Sequence, residues 1–558
     1  MVGGSARASR GAAWLGALLC LAPALATAAL VARAAVDVPA FDDYDAVIDF
    51  LDRWVAAPGA GERARLLFAQ HIEHRPVLLR AAALASPAAQ GHVDLRALQA
   101  VGALGLGLVA AALFACFRPG APLRERLLPF APAALVLFHP QFWSAYLWPT
   151  CSATNFGAVA FAALAFRALA GRGRGSFALA AASATAATLS QGNGVLALPL
   201  GLVVLLDAEA RARRRAWIAF SLALGAFTLV AFERPFSGWS IAPNLASPLR
   251  VAGYALHFLG GAPTFSQRGL APVAGAALVA SFGLLLARGA LRRSPALLAL
   301  QGFLLASALL NALVRAQQGV AAPLVQDRYR FYACAYLAAT WLAWAAELAG
   351  SRRERAVVRA GLAAALAFSL ASHALYRDDL LDFSRRLADG YERWWLRGDA
   401  GLFYPRFATA SAMLTTGFAR GVLRIPPAWL AAHAQRPREA PLPEPGPAVR
   451  FRLGALRLDA DGLLADGWAQ VGGSGGEPRF ALVLRSAERS LVVPAHSVPY
   501  LGPAGAAPAG AAVFRSLVRR ADLPPGEYRV GVLVERVDGA WLSFRGDALV
   551  VPGGATSP

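Results

Sequence analysis

Apolar residues run in blocks of near-spanning length at 12–35, 97–117, 127–140, 152–170, 176–191, 194–207, 216–232, 270–288, 295–314, 331–349 and 356–375. A straight helix needs roughly 20 apolar residues to cross the hydrocarbon of a bilayer, so 127–140 and 194–207 are short for a crossing. Beyond residue 448 the period changes. Phe451-Arg-Leu, Phe480-Ala-Leu-Val-Leu, Leu491-Val-Val, Tyr528-Arg-Val-Gly-Val-Leu-Val and Trp541-Leu-Ser-Phe alternate as strands do, with Gly, Pro and Asp turns between them. About seven short strands in roughly 105 residues predict an immunoglobulin-like sandwich. The expected fold is therefore an α-helical polytopic membrane protein with about eleven transmembrane helices over 1–375, followed by an all-β sandwich over 449–553. Between them, 376–400 mixes acids, arginines and Trp394-Trp395 and reads as an interfacial helix. Residues 436–447, with Pro437, Pro441, Pro443, Pro445 and Pro447, read as a linker closing the extracytoplasmic segment 376–448.

Composition agrees with lipid as the solvent. Of 558 residues, 57% are hydrophobic and 16% charged, and the mean hydropathy is +0.47. A soluble domain carries about 25% charged residues. The net charge of +20 comes entirely from arginine, because the chain has no lysine. The arginines gather in alternate connections: Arg7/Arg10, Arg118/Arg124/Arg126, Arg167/Arg172/Arg174, Arg211/Arg213/Arg214/Arg215, Arg288/Arg292/Arg293 and Arg352/Arg353/Arg355/Arg359. The connections at 139–151 and 190–194 have none. This is the positive-inside pattern of an inner-membrane protein, and it argues against nucleic acid as the partner. It predicts a cytoplasmic N-terminus, outer loops at 36–96 and 233–269, and a periplasmic C-terminal domain. A cleaved signal peptide over 1–35 is the alternative, though its apolar run is long for one. Cys20, Cys116, Cys151 and Cys334 have no metal-ligand spacing and read as small packing residues.

Ionisable groups at a membrane face are costly, which makes the first outer loop a candidate site. Asp37, Asp42, Asp43 and Asp45 crowd into nine residues. Crowding raises carboxyl pKa values or invites a shared cation, and a plain solvated acidic loop is the alternative. Gln70-His71-Ile72-Glu73-His74-Arg75-Pro76 follows, with Arg80 one turn into the next predicted helix. Such a box suits a phosphate, a metal held by His71, Glu73 and His74, a proton relay, or a hydrogen-bonded loop cap. The spacing matches no zinc signature, so no metal ligands are assigned and a divalent metal stays an open option. Trp143, Tyr146 and Trp148 read as an interfacial belt or as platforms for a sugar. Ser190-Gln-Gly-Asn193-Gly194 suggests broken helices or a tight turn. Gln326-Asp-Arg328-Tyr-Arg places arginine on the outer side, against the charge rule, where it suits a phosphate or a lipid headgroup.

Together Phe41-Asp42-Asp43-Tyr44-Asp45, Gln70-His-Ile-Glu-His-Arg75, Leu147-Trp148, Asn193-Gly194 and Asp327-Arg328-Tyr329 resemble, in order over about residues 10–375, bacterial polytopic membrane proteins related to the GT-C glycosyltransferases. Ile72 stands where that family has Asn, and Tyr44 where it has Trp. Leu523-Pro-Pro-Gly-Glu-Tyr-Arg resembles sandwich modules attached to carbohydrate-active proteins. The resemblance implies a first-loop carboxylate, Asp42 or Asp43, as the base for the acceptor. It also implies a polyprenyl-phosphate sugar as donor and a glycan, lipid or protein as acceptor. Arg75 and Arg328 would then meet the donor phosphate with His71, Glu73 and His74 assisting or ordering the loop, and Trp143 or Trp148 would stack on the substrate. A transporter or flippase of lipid-linked glycans, and a non-catalytic scaffold presenting the β-domain, are the rival expectations.

Overall fold

The computed structural model describes residues 2–173, 175–206, 211–230, 232–233, 241–398, 401–445, 449–459, 461–471, 478–498 and 511–552. Arg174, residues 234–240 of the segment expected as the second outer loop, Pro447 and residue 553 lie outside them, as do the side chains of Arg7 and Arg10. The chain divides into two compact units, one formed by 1–35, 67–82 and 96–384, the other by 36–66, 83–95 and 385–558.

The first unit is helical. Among the described residues every apolar block is mostly helical. Among the described residues five helices are long and apolar enough to cross a membrane: Ala13–Ala34, Leu95–Cys116, Pro149–Ala170, Pro295–Gln318 and Glu354–Arg397. Pro149 and Pro295 open their helices at the first turn, where a missing N–H costs nothing. Ser176–Thr188, Gly192–Val204 and Ala271–Ala287 are apolar but shorter. Where helices meet closely the contact is made at glycine. A Cβ at Gly16 would come within 2.6 Å of the Leu128 backbone nitrogen, as small residues allow in membrane bundles.

The arginine-rich connections meet one another. Arg118 pairs with Glu354 at 2.8 Å and donates to the Ala345 carbonyl. Arg167 donates to Ala115 O at 3.0 Å, and Arg213 to Gly171 O at 2.8 Å and Leu169 O at 3.0 Å. Arg293 pairs with Glu347 at 2.6 Å. The arginine-free connections have a separate set of partners. Val77 N donates to Leu189 O at 3.0 Å, Ser144 N to Asp327 at 2.7 Å, and Arg330 to Gln141 O at 3.0 Å. The charge alternation in the sequence thus corresponds to two distinct sets of contacts in this unit.

In the second unit the strands are β1 (Arg438–Glu439), β2 (Val449–Leu458), β3 (Gly462–Val471), β4 (Arg479–Arg485), β5 (Ser490–Val498), β6 (Ala512–Arg519), β7 (Gly526–Arg536) and β8 (Gly539–Val551). All pair antiparallel in the order β2-β3-β6-β5-β4-β7-β8. Ser490–Ala495 of β5 pairs with β4, while His496–Val498 pairs with β6. One strand therefore serves both halves of the domain. Alternation fills the core: Phe480, Leu482 and Leu484 of β4 pack with Leu491, Val493, Phe514, Val530 and Val532. Tyr528, near the start of β7, is buried and donates its hydroxyl back to Pro524 O at 3.0 Å.

The Pro-rich stretch does more than link. Arg438–Glu439 pairs with β5, and Pro445 bridges Leu542. Ala440 and Leu442 pack on Val483, Val492, Leu533 and Leu542. Those four residues form a second apolar face, which would otherwise meet water. Proline suits the edge it occupies, because an edge position needs no further donor. The segment predicted as a separate interfacial helix at 376–400 also differs: it continues the preceding block as one helix, Glu354–Arg397. Nothing in the sequence between the two breaks the turn, and Gly390 is used for a close approach to Gly401.

Candidate functional site

The acidic stretch belongs to the second unit. Phe41 takes a left-handed φ of 50° and donates its N–H to Phe403 O at 2.7 Å. Tyr44–Asp49 then forms a π-helix, a rare insertion that is frequent at functional sites. The partners of three of these carboxylates are defined. Asp37 accepts from Leu95 N at 2.8 Å, and the fully buried Asp43 accepts from Ala40 N at 3.0 Å. Asp45 accepts the Tyr404 hydroxyl at 2.9 and 2.8 Å on its two oxygens. Burial pushes the Asp45 pKa up, against the opposing effect of that bond. Tyr404 is pushed up to about 12 by burial and by Asp45. Asp42 is half-buried. Of the adjacent pair, Asp43 therefore fixes the turn, and Asp42 has the greater exposure of the two.

The histidine box belongs to the first unit and precedes the helix Val77–Gln90, as Pro76 predicts. His71 and His74 close a tight turn through paired backbone bonds, N to O at 2.7 and 3.0 Å. Ile72 sits at the turn with φ of 50°, a strained setting for a β-branched residue. The rings meet edge to face with centroids 5.5 Å apart. Each histidine keeps 8% of its surface. His71 Nε2 and both ring nitrogens of His74 have no hydrogen-bond partner among the described residues. Burial, then the charge of Arg80, lowers the His71 pKa to about 4; burial, then His71 and Arg80, holds that of His74 well below the usual imidazole value. Arg80 donates to Leu67 O at 3.1 Å and Ala69 O at 2.5 Å. Arg75 donates to Phe68 O at 2.6 Å and Val230 O at 2.5 Å, which ties the loop to the next helix.

Glu73 turns away from the histidines toward Arg315, at 3.8 Å. Its backbone lies against the 190–194 connection, where a Cβ on Gly192 would come within 3.0 Å of Glu73 O. Asn193 donates to Ser307 at 3.0 Å and to the Tyr332 hydroxyl at 3.1 Å, and Tyr332 donates to Asn155 at 2.9 Å. The Arg328 guanidinium lies 5.1 Å from the ring centroids of both Trp148 and Tyr329, and donates to Gln326 at 2.8 Å. Arg315 and Arg328 both bear electrostatically on the Tyr254 phenol, which donates to Asn311 at 2.8 Å. Trp143 packs edge-on against Phe383, 5.0 Å between centroids. Neighbouring Asp327 accepts from Ser144 through both N and Oγ, at 2.7 and 2.9 Å.

Known protein families and curated proteins offer no match to this chain.

The first unit thus draws together the box, the Asn-Gly connection, Trp148 and Arg328, all legible as motifs. Arg315, Asn155 and Tyr332 were missed. Arg315 carries the same signal as Arg328, an arginine at the arginine-poor end of a predicted span. Among the described residues no three His, Cys, Asp or Glu side chains gather as a metal site. With Glu73 on Arg315, the box offers a divalent ion only its two imidazoles, beside the positive charge of Arg80. Arginines, neutral imidazoles and amides are instead the donors of an oxyanion site.

Proposed function

We propose that the chain is a GT-C-like membrane glycosyltransferase that moves a sugar from a polyprenyl-phosphate carrier to an envelope glycan, lipid or protein. By the resemblance, a first-loop carboxylate, Asp42 or Asp43, serves as the base that takes the proton of the acceptor hydroxyl as its oxygen attacks the anomeric carbon. The bond from that carbon to the phosphate oxygen breaks with inversion, and polyprenyl phosphate leaves. The base contributes roughly 100- to 10,000-fold, and cations stabilise the leaving phosphate. The observation that carries this reading is the grouping of the box, the Asn-Gly connection and two arginines in one helical unit. Arg328 supplies the fork for the phosphate, and the face of Trp148 beside it suits a sugar. The strained Phe41 and the π-helix beside Asp42 and Asp43 support a functional role for that stretch.

In this reading all the apolar blocks cross the inner membrane, about eleven spans in total. The arginine-rich connections are cytoplasmic, and the β-domain, an immunoglobulin-like sandwich by its strand order and Tyr528 corner, is periplasmic. Reporter fusions after residues 355 and 445 then fall on opposite sides, and the same side for both rejects the topology. The function is tested by mass spectrometry of envelope glycans with and without the chain. Loss of one sugar with its lipid-linked precursor accumulating supports transfer. An unchanged glycan profile rejects it, and a precursor trapped on the cytoplasmic leaflet favours a flippase.

A further inference from the structure

We propose that a groove in the β-domain is a binding site for an acidic glycan, whose carboxylate is held between Arg485 and Arg529. The groove has a volume of about 1020 Å³ and is walled by the turn from β4 to β5, the first residues of β7, and Glu439, Ala440 and Pro441 of the proline-rich stretch. It lies wholly within the second unit, and glycan binding there requires neither a donor nor a transfer step. Arg485 of β4 and Arg529 of β7 are cross-strand partners, so both side chains leave the same face of the sheet. Both guanidiniums lie over the ring of Phe544, 6.0 and 5.3 Å from its centroid. Like charges placed directly opposite destabilise a strand pair. Among the described residues neither arginine has an ion pair; the third arginine of the groove, Arg489, is the one that faces Glu439 and Glu488, at 4.0 and 3.9 Å. The backbone is shaped around this pair. The β7–β8 register shifts between Arg529 and Gly531, a bulge of the kind that re-aims a side chain. A Cβ at Gly531 would come within 2.7 Å of the Phe544 ring, so glycine is what lets that ring lie against β7.

An anion between the two guanidiniums offsets their repulsion, and a carboxylate matches their planar forks. The rest of the groove selects the kind of carboxylate. With Glu439 and Glu488 beside Arg489, Glu527 is the remaining acid of the lining. Two guanidiniums against one carboxylate accept a single negative charge and oppose a dianion or a densely charged polymer. Glu527 and the Ser486 hydroxyl can also bond the hydroxyls of a sugar. Ala440, Pro441, Ala487 and Ala548 leave space for a sugar ring and offer little apolar surface to a lipid chain. A peptide is disfavoured as well: β4 pairs with β5 and β7, and β7 with β4 and β8, so neither strand has an open edge to which a peptide backbone could add. The volume matches the upper end of small-ligand sites, roughly 300–1,000 Å³, which a single ion would not fill.

The test is isothermal titration of the full chain in nanodiscs, at low salt, with trigalacturonate, neutral maltotriose, inorganic phosphate and tetraglutamate. Trigalacturonate is expected to bind, and the other three to bind about tenfold more weakly or less. Arg485→Gln and Arg529→Gln are each expected to weaken trigalacturonate about tenfold. Arg479→Gln, at the far end of the same strand pair opposite Glu535, is expected to leave binding unchanged. Without ligand, Arg485→Gln is expected to melt no lower than wild type, because removing one of two like charges relieves their repulsion; this separates lost binding from lost folding. Failure of the wild-type chain to bind trigalacturonate up to about 10 mM overturns the proposal, and this arm needs no variant to fold. Binding that Arg529→Gln leaves unchanged overturns it too. Equal affinity for maltotriose removes the carboxylate from recognition, tighter phosphate makes the groove a plain anion site, and tighter tetraglutamate makes it a peptide site; each result contradicts an acidic glycan.

Discussion

Asp37, Asp43 and Asp45 of the acidic stretch all accept hydrogen bonds from the protein itself, two from backbone N–H groups and one from Tyr404. His71 and His74 of the box bond to each other only through their backbones and leave three ring nitrogens unmet among the described residues. In sequence the two motifs look alike, each a dense run of ionisable groups between the first two apolar blocks. In structure the acidic stretch spends most of its groups on folding, and the box buries two imidazoles whose ring nitrogens stay largely unpartnered among the described residues. A cluster of charged residues therefore does not mark a ligand site by density. The useful sign is each group's own environment: of the two adjacent acids Asp42 keeps the greater exposure, and in the box three imidazole nitrogens are buried without a partner among the described residues.

The largest effect that separates these roles is expected at the adjacent acids. Asp42→Asn should lower sugar transfer by about a hundredfold or more with folding intact, as loss of a general base does. Asp43→Asn keeps an oxygen to accept from Ala40 N and should lower thermal stability with a much smaller loss of transfer. Equal losses of transfer in both, measured on chains of equal expression, would erase the distinction.

Next comes Arg515, a buried charge fully committed to structure. It bonds Asp466 at 2.6 Å and the carbonyls of Trp394 and Trp395 at 2.7 and 2.9 Å, and lies over both indole rings. Arg515→Leu strands Asp466 and should destabilise the second unit by about 3–5 kcal/mol. Denaturation followed by tryptophan fluorescence reads this, and a shift below about 1 kcal/mol would mean that the pair is dispensable.

The two motifs should also respond oppositely to acid. The His71 pKa drops from 6.5 to about 4 on folding, so between those values the unfolded chain binds more protons and stability falls as pH falls. The Asp45 pKa is raised, so the folded chain binds more protons above the ordinary carboxylate range, and this group's contribution falls as pH rises. Hydrogen exchange from pH 7 to pH 4.5, corrected for intrinsic rates, should show 69–76 losing protection while 41–49 holds or gains it. Parallel loss in both would contradict the assignment of these groups.

The smallest effect concerns Ile72. A β-branched residue at φ of 50° is strained, and asparagine tolerates that conformation. Ile72→Asn should raise stability by about 1 kcal/mol, read as a higher melting temperature. A lower melting temperature would show that the Ile72 side chain packs more favourably than its backbone is strained.

Much of this was legible from pattern alone. Among the described residues each apolar block is mostly helical, the strand-like runs are strands, and Pro76 places the box in a loop ahead of its helix. These are local signals of period and turn chemistry. What was not legible depends on partners far along the chain. Tyr404 meets Asp45 across more than 350 residues. Ala440 and Leu442 cover a face that exists only once β4, β5, β7 and β8 have assembled. The π-helix at Tyr44–Asp49 has no period to announce it, and Arg315 was absorbed into the end of an apolar block.

The measurement that bears most directly on the transferase reading is transfer from a radiolabelled polyprenyl-phosphate sugar by the purified chain in liposomes, wild type against Arg328→Lys. The reading predicts label moving to an envelope acceptor with inversion at the anomeric carbon, and at least a tenfold lower rate in Arg328→Lys, which keeps the charge but loses the bidentate fork. Label that stays on the lipid while crossing between leaflets, at the same rate in both chains, would contradict it.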